Sequence, residues 1–240
     1  MTAMGEPSPM ELSPFLLATR NADKVREIVE IFALRLGRAL GAVALADRAG
    51  STIGFLVADP EALDVAVAQI DTPAVAPDVD EVGNTLHANA RIKARAVANA
   101  LGMPAIADDT GLEVDALGGA PGVQSARYAG ANASGTDNCT KLLTEMRSRL
   151  RASRSARFVT VAVWFDPGSG SEIATMGKIE GVIVDAPRGD QGFGYDPVFA
   201  PAGGSGRTFA EMNSTEKHAV SHRGRAFREL AARLHIAQER

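Results

Sequence analysis

The chain has 240 residues, 45% of them hydrophobic and 22% charged, which is ordinary globular usage and excludes disordered and fibrous classes. Its 25 basic residues against 29 acidic ones leave a net charge of −4, so no overall basic field is available for nucleic acid, and any polyanion site must be built locally. The single cysteine, Cys139, allows no internal disulfide or CxxC site, no apolar run reaches the ~18 residues of a membrane span, and the first basic residue is Arg20, so a soluble cytoplasmic protein without a signal peptide is expected.

Residues 1–13 read as a loose leader. Phe15-Leu16-Leu17-Ala18 predicts a short buried strand, ended by the polar run Thr19-Arg20-Asn21. From Val25 onward, Val25, Ile28, Val29, Phe32 and Leu36 follow helical spacing. Strand, polar turn and helix together open an α/β domain. Residues 37–80 carry less pattern: a strand at Ile53–Val57 and a proline-punctuated loop from Pro73 to Pro77. A helix follows over Leu86–Leu101, stopped by Gly102 and Pro104. Ala105–Ala107 is a short apolar strand running into Asp108-Asp109-Thr110-Gly111, and a glycine-dense loop comes next. Thr136 is expected to cap a helix carrying Leu142, Leu143, Met146 and Leu150. Phe158–Phe165 is the best strand pattern in the chain, ending at Asp166-Pro167-Gly168, and Ile173–Val184 is a second strand region broken at Gly177 and Gly181. Asn213 with Glu216 makes a capping box, and a C-terminal helix presents Ala226, Phe227, Leu230 and Leu234 on one face. The order of elements predicts an α/β fold, a mixed sheet flanked by helices in one domain or two lobes.

Four polar clusters could carry chemistry. The turn Thr19-Arg20-Asn21-Ala22-Asp23-Lys24 joins a strand end to a helix N-terminus, where free N–H groups and a lysine suit phosphate oxygens; ordinary helix capping would use the same residues. Asp108 and Asp109 follow an apolar strand, so they can hold Mg²⁺, or one can act as a general base, or both can be a solvated acidic turn. Phe193-Gly194-Tyr195-Asp196 places two aromatics around a glycine beside an acid, a platform for a planar base or an aromatic-anchored turn. Lys217, His222 and Arg223 are three potential cations at the start of the final helix, fit for an anion or a carbonyl oxygen, or simply solvated. Arg147, Arg149, Arg151, Arg154 and Arg157 read as a solvated helix face and loop, and His87, His218 and His235 as surface or packing residues. An anion clamp, carboxylates, a base platform and a second cation cluster are the parts of an enzyme acting on a nucleoside triphosphate.

The segments LATRNADKVREI, KARAVANALGMPAIADDTGLEVDALGGAPGVQSARYAG, GFGYDPVF and AEMNSTEKHAVSHRGRA occur in this order between Phe15 and Leu234. With them the chain resembles the inosine/xanthosine triphosphate pyrophosphatases of the Ham1 type. The resemblance implies an elongated mixed sheet with flanking helices, two lobes around a nucleotide cleft within one domain over 14–238, and a homodimer. It implies Mg²⁺-dependent hydrolysis of ITP, dITP and XTP to the monophosphate and pyrophosphate. Carried over, Thr19, Arg20, Asn21, Ala22, Asp23 and Lys24 look like the triphosphate turn. Asp109 looks like the catalytic proton acceptor and a metal ligand, with Glu81 as the other ligand. Thr110, Phe193, Gly194, Tyr195, Asp196, Lys217, His222 and Arg223 look like substrate contacts, with Asp196 the acceptor for a purine N1–H and Lys217 joining Lys24 against the leaving pyrophosphate. Two features depart from the family pattern: Ala88 stands where an acid usually precedes Asn-Ala, and residues 37–70 leave room for an insertion. The alternatives are a pyrophosphatase of Maf-like base preference and a nucleotide-binding sensor that has lost turnover at Ala88.

Overall fold

A computed structural model describes residues 14–37, 39–46, 52–62, 83–149 and 153–238. The leader, the Pro73–Pro77 loop, Leu150, Arg151 and Glu81 lie outside the described residues, as does much of 37–70.

Strand β1 (Phe15–Leu17) is apolar at every position because both of its faces are covered. Asn21 caps helix α1 (Ala22–Leu36), which stops at Gly37 in the left-handed conformation. Strands β2 (Gly41–Ala46) and β3 (Thr52–Ala58) pair antiparallel, and β3 runs antiparallel to β1. Thr85 caps helix α2 (Leu86–Leu101), which leads into β4 (Ala105–Val114). After β5 (Pro121–Gly122) come helix α3 (Gly135–Arg147), the long hairpin of β6 (Ser155–Phe165) and β7 (Glu172–Ile183), and the short β8 (Phe199–Pro201). Helices α4 (Ser214–Val220) and α5 (His222–Gln238) close the described chain. The eight strands form one sheet in the order β2-β3-β1-β4-β6-β7-β8, with β5 on β4; only β1 and β4 pair in parallel. This is the mixed α/β sheet expected.

The period of two along a strand sorts the core into layers. Leu16, Ala105, Ala107, Val161 and Val163 pack with Ala90, Ala94 and Ala98 of α2 on one face. Phe15, Leu17, Ile106 and Ala162 pack with α1 and α5 on the other, where the rings of Phe32 and Phe227 lie 6.0 Å apart. Burying such a side chain contributes about 1.5–3 kcal/mol relative to leaving it in water. The far ends of β4, β6 and β7 carry a separate cluster under α3, built on Leu112, Leu142, Phe158, Phe199 and Phe209.

Several local expectations need correction. The strand at Ala105 does not stop at Ala107 but continues through Asp108-Asp109 to Val114, paired residue by residue with β6. The α3 cap is Ser134, in a capping box with Asp137, two positions before Thr136. Strand β7 is unbroken: Gly181 pairs with Pro201, and Gly177 is small because the first turn of α5 lies on it. A Cβ on Gly177 would stand 2.0 Å from the His222 carbonyl oxygen and 2.6 Å from the Ala226 nitrogen. A break at Ser221 divides the C-terminal helix into α4 and α5. The arginine stretch is not one solvated face. Arg157 sits on β6 against Glu113, Asp115 and Glu180, while Arg154 donates to the carbonyls of Ile183 and Val184.

Candidate active site

The polar turn after β1 is organised by its own side chains. Asn21 Oδ1 accepts from the Asp23 and Lys24 N–H groups at 2.9 and 3.2 Å, and Thr19 Oγ1 accepts from the Asn21 N–H at 3.2 Å. Arg20 is exposed, whereas Lys24 reaches inward and donates to Asp108 Oδ1 at 3.1 Å. Burial, with Lys93 and Arg223 nearby, holds the Lys24 ammonium below its ordinary value against the pull of Asp108.

The acidic pair divides its work because β4 continues through it. Neighbouring strand residues point to opposite faces. Asp108 therefore faces α1 and α5 together with Thr110, and Asp109 faces α2. Asp108 is buried: its Oδ1 takes Lys24, and its Oδ2 takes the Thr110 hydroxyl at 3.1 Å and Arg223 at 3.3 Å. Burial alone would raise its pKa, but Lys24, Arg223 and Lys93 outweigh that and hold the carboxyl well below the usual range. Asp109 accepts from the Asn89 amide at 3.0 Å and from the Thr110 N–H at 3.1 Å, and lies 3.6 Å from Lys93 Nζ. Of the two acids, Asp109 lines the cavity between these elements and Asp108 does not. The Thr110 hydroxyl also meets Thr160 at 2.6 Å and Arg223 at 3.2 Å.

The base-platform segment comes next to this network. Gly192 has a φ of 71°, and a Cβ there would stand 2.1 Å from Asp196 Oδ2, so the loop closes only with glycine. That oxygen accepts from the Phe193 N–H at 2.8 Å and from Lys217 at 2.5 Å. Burial, with Glu27 near, keeps Asp196 above the usual carboxylate range despite Lys217. The Tyr195 hydroxyl donates to the Ser125 carbonyl at 2.9 Å. Cys139 donates to the Gly194 carbonyl beneath the loop, and burial pushes its thiol up to about 11, so the one cysteine is held unreactive.

Of the three expected cations, two are buried ions and one is neutral. Lys217 is held by Glu27 as well as Asp196 and does not line the cavity that Asp109 lines. Arg223 donates to Glu27 at 2.6 Å and lies 5.3 Å from the centre of the Phe193 ring. Burial, then Arg223 and Lys217, lowers the His222 pKa far enough that the ring is neutral near pH 7. That ring stacks on Phe158, with centroids 4.4 Å apart and planes 11° from parallel. His218, read as a surface or packing residue, is buried and bonds Glu30 at 2.8 Å.

A cavity of about 380 Å³ joins these parts. It is walled by Asn21, Asp23, Lys24, Asp109 and Thr110 together with Phe158, Phe193, Gly194, Tyr195, Asp196, His222 and Arg223, and also by Ser125 and Asn138. Glu27, Asn89, Lys93 and Phe158 were not singled out from sequence. The available signals were the helical spacing of Glu27 behind Lys24 and of Lys93 behind Asn89. A nucleoside triphosphate fits the character of the cavity, which combines cationic and hydroxyl groups with planar aromatic surface.

A sequence model of the Ham1 family matches residues 15–233. The chain is 42% identical to the dITP/XTP pyrophosphatase of Streptomyces avermitilis, over 91% of this chain and 96% of that one. It is 39% identical to the dITP/XTP pyrophosphatase of Symbiobacterium thermophilum, over 94% and 96%. Among solved structures, a HAM1 protein from Coxiella burnetii superposes with a TM-score of 0.68 at 35% identity, covering 91% of this chain and 96% of that one.

Proposed function

The chain belongs to the Ham1 family, and from that premise we propose that it hydrolyses non-canonical purine nucleoside triphosphates, dITP, ITP and XTP, to the monophosphate and pyrophosphate. The observation that carries this reading is one cavity lined by Lys24 and Asp109 together with Phe193, Phe158 and a neutral His222. Attack of water on the α-phosphorus needs little covalent help from a protein. Catalysis is then positioning and charge neutralisation. Asp109 is the carboxylate at the phosphate end and the acceptor for the water proton. Lys24, set at its angle by Asp108, supplies positive charge to the leaving pyrophosphate. The neutral His222 and the charged Arg223 can both donate to a C6 carbonyl, and Asp196 can accept from an N1–H. Adenine offers the reverse pattern, and buried polar mismatches of this kind discriminate by about 10⁴ or more.

Mg²⁺ is the cofactor proposed. Among the described residues no group of three or more His, Cys, Asp or Glu side chains can hold a metal alone. Asp109, an oxygen donor on the cavity wall, fits the usual Mg²⁺ arrangement of one or two carboxylates completed by phosphate oxygens and water. Glu81, outside the described residues, is the second ligand in this reading; bound there, the ion would neutralise phosphate charge and acidify water. A homodimer in a reducing cytoplasm completes the proposal. Among the described residues no helix is long and apolar enough to cross a membrane.

The test is pyrophosphate release from dITP, ITP, XTP, GTP, ATP and dTTP with Mg²⁺ or EDTA, for wild type and Asp109→Asn. Fast Mg²⁺-dependent release from the inosine and xanthine nucleotides alone, lost by about 10³-fold or more in the variant with dITP binding retained, is the expected outcome. Binding of ITP without release from any nucleotide would reject turnover and favour the sensor, with Ala88 the first suspect. Release chiefly from dTTP would point to the Maf-like preference.

A further inference from the structure

Asn89 is buried to 0% exposure in the second turn of α2, and no role has yet been given to it. An amide taken wholly from water is costly unless both of its ends are hydrogen-bonded. Here both are. Oδ1 accepts the Gly83 N–H at 2.9 Å, and Nδ2 donates to Asp109 Oδ2 at 3.0 Å. A backbone N–H can only donate, so the contact with Gly83 fixes which end of the amide faces Asp109. The packing is close: a Cβ on Gly83 would stand 2.5 Å from Asn89 Oδ1 and 2.8 Å from the Ala88 Cβ. The small residues Ala90 and Ala94 let α2 sit near β4, which brings the amide within reach of the carboxylate.

We propose that Asn89 is the positioning residue of this site: one buried amide that holds the Asp109 carboxylate at its working angle and ties to it the backbone at Gly83, two residues beyond Glu81. The proposal rests on the pyrophosphatase reading for its kinetic consequence. Asp109 Oδ1 is met by the Thr110 N–H and approached by Lys93, and Asn89 restrains the other oxygen, Oδ2. Neither aspartate nor leucine can replace it. Ionised aspartate has the size but no donor for Asp109, and leucine leaves the Gly83 N–H and the carboxylate both without this partner.

Asn89→Asp and Asn89→Leu would be made in the full chain and assayed for kcat and KM on dITP, for Mn²⁺ affinity without nucleotide, and for cooperative unfolding. The expected result is a fall in kcat of about 10–100-fold with KM changed by less than about 3-fold, and Mn²⁺ affinity weakened about tenfold. Wild-type kcat in both variants overturns the proposal. So does a fall in kcat that vanishes once rates are scaled to the folded fraction, which marks a merely structural amide. Should neither variant fold, Gly83→Ala displaces the same contact without emptying the core, and an unchanged kcat there overturns the proposal equally. Should wild type release no pyrophosphate from any nucleotide, the functional reading fails by itself. Equal Mn²⁺ affinity in wild type and Asn89→Leu would then overturn the positioning role.

Discussion

Asp108→Asn removes the negative charge from the centre of a buried cluster without changing its size. The side chain bonds Lys24 at 3.1 Å and Arg223 at 3.3 Å, both charge-assisted. Arg223 keeps Glu27, so Lys24 is the cation left facing a neutral amide. Two such bonds are worth about 1.5–3 kcal/mol each, and the asparagine carbonyl can retain one acceptor, so a loss of about 3 kcal/mol is expected. In a domain of this size that lowers Tm by about 6–12 °C. Urea unfolding of both proteins at pH 7 measures the difference, and repeating it into acid tests the cause. The cations hold the folded-state pKa of Asp108 below the unfolded value of about 3.9, so its contribution is complete above about pH 5 and is lost as pH falls through and below 4. The gap between wild type and variant must therefore narrow in acid. A gap under about 1 kcal/mol at pH 7, or one that widens below pH 4, would refute the reasoning.

Two more substitutions probe other parts of the scaffold. Gly177→Ala places a methyl against the His222 carbonyl and should cost about 2–3 kcal/mol in urea unfolding while shifting the start of α5; a neutral effect would mean that helix is not seated as described. Asp196→Ala should reduce the preference for dITP over dATP in kcat/KM by about tenfold or more, and an unaltered ratio would move base reading to other groups.

Much of this architecture was legible as pattern. Strand β1, α1, α2 and β6 stand where periodicity and caps placed them, because each has a clear apolar face and a strong start or stop signal. Strand β2 was not legible: Gly-Ala-Val-Ala-Leu-Ala has neither alternation nor bulk, and its place is set by pairing with β3. The glycines of β7 read as breaks, since sequence does not show that another element is pressed against them. At the site, polar clusters could be found but not their pairing. Whether Lys217 faces substrate or Glu27 depends on two helices far apart in the chain meeting, and that information is tertiary. The burial that neutralises His222 is equally invisible in a string of letters.

The contact between α1 and α5 bears on the order of synthesis. Lys24 leaves the ribosome well before Arg223, and its cluster around Asp108 is incomplete until Arg223 follows. A chain arrested before α5 would carry Lys24 and Asp108 without the helix that supplies Phe227 to the core and Arg223 to the cluster. Products ended before it should then be inactive and readily degraded, leaving nucleotide cleavage to chains that have acquired α5.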